Sequence, residues 1–546
     1  MTIKKLHLYI LQLICISGIL SLTNCARVTS PGGGEKDEEP PVLIKSIPED
    51  GQTNFTSQII ILEFDELVQT NQIESNLIIT PKPSGSFRSS NSRNTIQLEF
   101  FEPFDDSTTY TFSFASTIED LTDRNAAVGL SLSFSTGDYL DSLSITGQIK
   151  NLYDQIIEED ILVSLYTADD SLNILNGPAS YYTKTDTAGN YIFKNLPPND
   201  YRVYAVKDKN ENNKADSDEE KYGFYSDTLR VIENVDNINF TIQNLSTKDL
   251  RLISGRHFGR YYELTFNKSI TEFKPINNDE TIYHQTAKDI IRFFRTNQLF
   301  NDTTELIFEA RDSLGSILLD TARYYFVESE IAPDRLNHAF TPKRNLFRPS
   351  EEVTLSFNKP VNLINPDSIQ VFVDSLNVYP FPVNEITPNK NRTEFKFPFV
   401  ISDYIERPGQ QARIEFKKGT FISIDADTTP AIQKTVEIAI EEETGLITGT
   451  VNTNSPNVIV QLLNSRTLQV IEETNDINFR FPYLDAGTYM IRAINDLNGN
   501  GKWDTGNIIR NEDPEPVAFY YDSDFDTQLI ELRKNWERSQ IIINLR

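Results

Sequence analysis

Two cysteines, two tryptophans and four histidines serve a chain of 546 residues, and each shortage removes a class of chemistry. Cys15 lies inside an apolar N-terminal segment and Cys25 just behind it, so the rest of the chain has no disulfide and no thiol nucleophile. The histidines (His7, His257, His284, His338) are far apart in sequence, which argues against a histidine metal site or a catalytic triad. Positive charge is also scarce: 51 Lys and Arg face 79 Asp and Glu, a formal charge of -28. Such an excess repels phosphate backbones and excludes nucleic acid as a partner. The one apolar run near membrane-spanning length is Leu6 to Leu22, preceded by Lys4 and Lys5 and broken by His7, Gln12, Ser17, Gly18 and Ser21. It reads as a signal peptide, so no transmembrane helix is expected after cleavage. A G-x-S-x-G elbow, a P-loop, H-E-x-x-H and a dinucleotide fingerprint are all missing. Carboxylate neighbours such as Asp65-Glu66 and Asp105-Asp106 are expected by chance among 79 acidic residues, so the reading is not an enzyme. A hydrolase with an unrecognised site in 247–440 is the rival.

The signal ends in Leu22-Thr23-Asn24-Cys25. These four residues resemble the lipobox of bacterial lipoproteins, which implies cleavage before Cys25 and a covalent lipid on its thiol, with 1–24 removed. Loss of Lys4 and Lys5 takes the charge from -28 to -30. Acyl chains then replace a membrane span, each buried methylene adding about 0.8 kcal/mol. Residues 25–41 carry Ser30-Pro31-Gly32-Gly33-Gly34 and Glu35-Lys36-Asp37-Glu38-Glu39, with nothing to bury, and form a flexible acidic tether. The acidic cluster resembles the export signal of Bacteroidetes lipoproteins, which implies the outer face of the outer membrane; the alternative is the periplasmic face.

From 42 to 138 the pattern is strands and turns. Ile60-Ile61-Leu62-Glu63-Phe64 is apolar and then alternating, and Tyr110-Thr111-Phe112-Ser113-Phe114 and Leu132-Ser133-Phe134 have period two. Pro48-Glu49-Asp50-Gly51, Leu62-Glu63-Phe64-Asp65-Glu66, Ile118-Glu119-Asp120 and Phe134-Ser135-Thr136-Gly137 resemble the SbsA-type bacterial Ig-like domain. The Leu-x-Phe strand recurs as Leu264-Thr265-Phe266-Asn267-Lys268 and Leu355-Ser356-Phe357-Asn358-Lys359, pointing to further Ig-like units at 247–330 and 331–441. Within the former, Thr286 to Phe300 reads equally as a short helix.

A second kind of unit occupies 139–246 and 442–546. Ile145-Thr146-Gly147-Gln148-Ile149 and Ile447-Thr448-Gly449-Thr450-Val451 open it. Tyr191-Ile192-Phe193 then aligns with Phe479-Arg480-Phe481, and Tyr201-Arg202-Val203-Tyr204-Ala205 with Tyr489-Met490-Ile491-Arg492-Ala493, at one offset of 288 (479 - 191, 489 - 201). That order of strands resembles the prealbumin-like or carboxypeptidase-regulatory β-sandwich, which implies a stalk or spacer. Gln540 to Leu545 supplies a closing strand, with Trp536 as core or edge packing.

Behind each Tyr-led strand lies an oxygen-rich loop. Asp208, Asn210, Asn212, Lys214, Asp216 and Glu219 in the first, and Asp496, Asn498, Asn500, Lys502 and Asp504 in the second, fall at the ligand positions of a twelve-residue Ca2+ loop. A hard cation of that size wants six to eight oxygens, which a short loop supplies by alternating inward carboxylates and amides, with the lysines giving backbone carbonyls. Position 12 differs: Glu219 in the first loop, Asn507 in the second, which makes the second site weaker unless Asp485 or Asp513 approaches. The alternative is a polar hairpin rich in turn residues.

Together these readings give an all-β chain of five sandwiches hung from lipid at Cys25, a scaffold or accessory subunit of an outer-membrane complex with structural Ca2+. Its partners are the membrane, an outer-membrane protein, or a glycan. Polysaccharide recognition through aromatic stretches such as Tyr222-Gly223-Phe224-Tyr225 and Phe519-Tyr520-Tyr521 is the alternative within binding.

Overall fold

The computed structural model describes residues 38–546 except 115, 128, 217–219, 245–248, 259–260, 278–282, 288, 295–302, 313–314, 327–333, 344, 349, 374–376, 381–382, 401–409, 441–442 and 546. Cys25, the signal and most of the acidic tether lie outside the described residues. Strands make almost all the regular structure, in tandem sandwiches, and among the described residues no helix is long and apolar enough to cross a membrane. Among the described residues two compact parts are present, one up to Ser142 with Lys194–Pro197, the other Leu143–Phe193 with the residues from Pro198 on.

Three sandwiches share one plan. Leu43–Ile47, Ile59–Phe64, Thr95–Phe100 and Phe87–Ser92 lie side by side in that order, as do Leu252–His257, Tyr261–Phe266, Ile290–Phe294 and Tyr283–Ala287, and again His338–Thr341, Ser350–Phe357, Glu394–Val400 and Thr387–Pro388. The repeated Leu-x-Phe strand is the second member each time, and its alternate residues are buried: Leu62 and Phe64, Leu264 and Phe266, Leu355 and Phe357. The next residue ties the chain that leads into the first strand. Asp65 accepts the N–H of Val42 (2.8 Å), Asn267 that of Arg251 (2.8 Å) and Asn358 that of Asn337 (2.9 Å). Asn267 and Asn358 also donate, to the carbonyls of Asp249 and Arg335. One polar side chain at a strand end thus satisfies backbone groups that would otherwise be unpaired. The helix considered for Thr286 to Phe300 is not seen over its described part: Ile290–Phe294 is a strand paired with Tyr261–Phe266, and its β-branched and aromatic residues suit that pairing.

The other two sandwiches also match each other. In one, Leu143–Asn151 pairs in parallel with Phe240–Asn244; in the other, Gly445–Asn452 pairs in parallel with Glu537–Asn544. The opening glycine of each has a steric cause. A Cβ on Gly147 would sit 2.0 Å from the Ile238 carbonyl oxygen and 2.7 Å from the Tyr191 ring, and one on Gly449 would sit 2.3 Å from the Ile541 oxygen and 2.4 Å from the Phe479 ring. The aromatic strand therefore lies over a glycine, which explains why the two recur together. In the first copy Leu162–Thr167 and Asn199–Val206 continue the same seven-stranded sheet, and in the second Val458–Asn464 and Gly487–Asn495 build a separate one. Val458 to Leu463 is buried without a break, so both faces of that sheet are covered. Trp536, expected in packing, is instead 43% exposed with Arg533 over its ring.

Candidate functional site: the paired Asp/Asn loops

The Tyr-led strands Asn199–Val206 and Gly487–Asn495 deliver the two loops to corresponding places, and the 288-residue offset continues through them (496 - 208, 504 - 216). In the first loop the Asp208 carboxylate accepts the N–H of Asn212 (3.2 Å) and of Asn213 (2.6 Å). Asp496 does the same for Asn500 (3.1 Å) and Gly501 (2.9 Å). The sharp turn falls where the spacing places it, with φ of 59° at Asn213 and 71° at Gly501, a left-handed conformation that Asn and Gly tolerate best. Asn212 and Asn500 accept the N–H of Lys214 (2.9 Å) and Lys502 (2.7 Å). The amides of Asn210 and Asn212 donate to Asp216 at 3.0 and 2.8 Å, and those of Asn498 and Asn500 donate to Asp504 at 2.6 and 2.9 Å. Ten of the eleven residues read as ligands are thus gathered by the loops that carry them; Glu219 lies outside the described residues.

The residue that closes each loop was not identified from the spacing. Glu220, 1% exposed, accepts the N–H of Lys209 (3.2 Å) through one oxygen and that of Asp216 (3.1 Å) through the other. Glu515, 4% exposed, accepts from Leu497 (2.8 Å) and Asp504 (3.0 Å) in the same two places. Asn507, counted as position 12 of the second loop, is elsewhere: it exchanges backbone bonds with Glu512, and its side chain accepts the N–H groups of Ile509 and Arg510. Asp513 faces Ser226 instead of the loop. In the second loop a count of twelve lands on Asn507, because the acid lies eleven residues beyond Asp504 (515 - 504), against four beyond Asp216 in the first (220 - 216). A buried glutamate just before a strand in both copies is the signal that finds it.

Each loop offers two carboxylates and two amide oxygens, hard donors of the right kind for Ca2+. Among the described residues, no three Asp, Glu, His or Cys side chains lie close enough to hold a metal by themselves, so a cation at either loop draws on the asparagine oxygens. The aromatic stretches are mostly interior. Tyr222 and Phe224 are buried, burial pushes the Tyr222 hydroxyl pKa well up, and Tyr520 packs on the core of its own sandwich. Tyr521 and Phe525 are exposed, on a hairpin with Asp522, Asp524 and Asp526.

The class defined by this architecture is a tandem Ig-like β-sandwich protein. Residues 37–136 match the family model described as the bacterial Ig-like domain. No curated protein matches the chain. Among solved structures, the chain is similar to the Bacillus anthracis TIE protein, at 11% identity over 95% of this chain and 76% of that one, TM-score 0.13. It is also similar to domains 1–6 of the surface layer protein SbsC, at 10% identity over 92% and 68%, TM-score 0.15. A third is BcpA, the major pilin subunit of Bacillus cereus, at 11% identity over 74% and 100%, TM-score 0.12.

Proposed function

We propose that this chain is a lipid-anchored structural and binding protein of the cell envelope, held at the outer membrane by acyl chains on Cys25 and presented at the cell surface. The observation that carries the reading is where the fold uses its buried charge. Asp120, Glu220, Asp312, Asp496 and Glu515 each accept backbone N–H groups from nearby turns. Lys359, also buried, is held by Asp425 at 2.9 Å, Asp427 at 3.0 Å and the Asp334 carbonyl. These groups hold turns and strand ends in place, which suits a spacer.

The lipobox resemblance supports the anchor, and the acidic stretch Glu35 to Glu39 supports the outer face over the periplasmic one. In that setting the sandwiches act as a scaffold or accessory subunit of an outer-membrane complex. Ca2+ at the paired loops would be structural: Asp208 and Asp216, or Asp496 and Asp504, would hold it with the asparagine oxygens, and their rigidity would protect the loops. The decisive experiment expresses the tagged full chain in its own host, with intact-mass analysis, membrane fractionation and a mild-detergent pull-down. Acylated Cys25 and co-purification of an outer-membrane β-barrel are expected. Unmodified Cys25, or protein free in the cytosol, would remove the anchor and with it the role. A second reading, polysaccharide binding, rests on the exposure of Tyr521 and Phe525; glycan-array binding abolished by Tyr521→Ala would favour it.

A further inference from the structure

The two loop-bearing sandwiches are separated in sequence by two Ig-like units, yet residues 505–514 of the second meet the first. That segment is where the copies differ. Three residues separate Asp216 from Glu220, whereas ten separate Asp504 from Glu515, an excess of seven. The excess carries a continuous set of contacts. Ile508 packs against the core of the first sandwich that includes Tyr204, Tyr222 and Phe224. Asn511 donates to the Ser226 carbonyl at 2.6 Å, and Asp513 accepts the Ser226 N–H at 3.2 Å and its hydroxyl at 2.5 Å. The Thr505 carbonyl accepts from Gln243, which in turn accepts the Tyr153 hydroxyl at 3.2 Å.

The base of the segment is fastened from the other side. The guanidinium of Arg492 is 6% exposed, lies 4.4 Å over the Trp503 ring, donates to Gln461 at 2.7 Å and reaches the Tyr153 carbonyl at 3.2 Å across 339 residues of sequence. Tyr153 meets Trp503 edge to face, with ring centroids 5.6 Å apart. An arginine removed from water needs such a set of partners, and its burial lowers its pKa to about 10. A surface loop of a free-standing sandwich has no use for a buried Arg–Trp–Tyr stack, an apolar side chain in a neighbour's core and an aspartate aimed at a neighbour's serine.

We propose that residues 505–514 are an intramolecular clasp, a tongue inserted into the second copy that docks in the first and closes residues 143–546 on themselves. The clasp is independent of the cation reading, because its contacts are made by side chains that are not loop ligands. It holds the two intervening Ig-like units between fixed ends, so they act as one body where an open string of sandwiches would flex at every linker.

The test is a cysteine pair in the full chain, Ser226→Cys with Asp513→Cys, with Cys15 and Cys25 changed to Ser. Mild oxidant is expected to give an intramolecular disulfide in most molecules within minutes, read as a faster-migrating band and a loss of two hydrogens in mass. A control pair, Ser226→Cys with Asp524→Cys, is expected to stay reduced. A second variant guards against misfolding: Ile508→Asp is expected to raise amide exchange in 221–231 about tenfold while leaving 445–452 unchanged. The clasp is overturned by failure of the Ser226/Asp513 pair to close, by a disulfide found only between chains, or by unaltered exchange in 221–231.

Discussion

The two Asp/Asn loops hold the same internal circuit and differ in what leaves it. In the first, Glu220 follows the last ligand almost at once and the chain runs straight into Lys221–Val231, an eleven-residue strand. In the second, the equivalent strand is split into Val517–Phe519 and Ile530–Leu532, with residues 505–514 inserted before it and an acidic hairpin between the pieces. The first insertion lies between Asp504 and the closing Glu515 and the second beyond it, yet Glu515 still accepts the N–H groups of Leu497 and Asp504 and the circuit from Asp496 to Asp504 is undisturbed. A repeat of this kind keeps its packing residues in register and gains a new surface where the backbone is already turning, which is the least costly place for an insertion.

The comparison can be broken most forcefully at the closing acids. Glu220→Gln and Glu515→Gln each leave one backbone N–H facing an amide group in place of a carboxylate oxygen, and each is expected to cost about 2 to 3 kcal/mol. Chemical denaturation with segment-resolved hydrogen exchange should show the two losses equal within about 1 kcal/mol at the loops themselves. Only Glu515→Gln should also free 505–514. A large loss in one copy and none in the other would mean that the circuits are not equivalent.

A smaller effect is expected at the turn. Gly501→Ala places a Cβ at φ 71°, where open space surrounds it but the backbone conformation is disfavoured, and should cost about 1 kcal/mol. Asn213→Gly, the reverse exchange toward the second loop, should change stability by less than about 0.5 kcal/mol. Denaturant midpoints distinguish the two.

The smallest effect separates the copies by pH. Burial pushes the Glu158 carboxyl up, but hydrogen bonds from Asn151 and Lys221 and the charges of Lys221 and Lys207 outweigh it, leaving its pKa below the ordinary 4.5. A carboxylate with a lowered folded-state pKa stabilises fully above its unfolded value, and that contribution is lost as pH falls through the folded value. Acidification below pH 4.5 should therefore raise exchange in 143–160 in the wild type. Glu158→Gln should show no such added rise over the same window.

Much of the architecture was legible because repetition is visible without knowing the fold. The 288-residue offset runs from Tyr191 and Phe479 through Asp216 and Asp504, and the Leu-x-Phe strand recurs with its polar strand-end residue three times. Alternation in those strands reports one covered face. Other features were not readable for definite reasons. Glu515 is displaced by seven residues, so a fixed twelve-residue count lands on Asn507, which serves a tight turn of its own. Trp536 follows Arg533-Lys534-Asn535, and its ring lies under Arg533 at the surface where an apolar reading expects packing. The docking of Thr505, Asp513 and Arg492 depends on partners 262 to 339 residues away, and local periodicity carries no information at that range.

The paired loops are closed clamps held by their own hydrogen bonds, and the proposal that they take up a structural divalent cation is the one to test. Calorimetric melting of the full chain in chelator and in millimolar Ca2+, for wild type and for Asp208→Ala with Asp496→Ala, addresses it directly. The account predicts a midpoint raised by several degrees in Ca2+ for the wild type, a ligand-linkage effect of about 2 to 3 kcal/mol at a hundredfold excess over Kd, and no Ca2+ response in the double variant. A wild-type midpoint that ignores Ca2+ and chelator alike would contradict it.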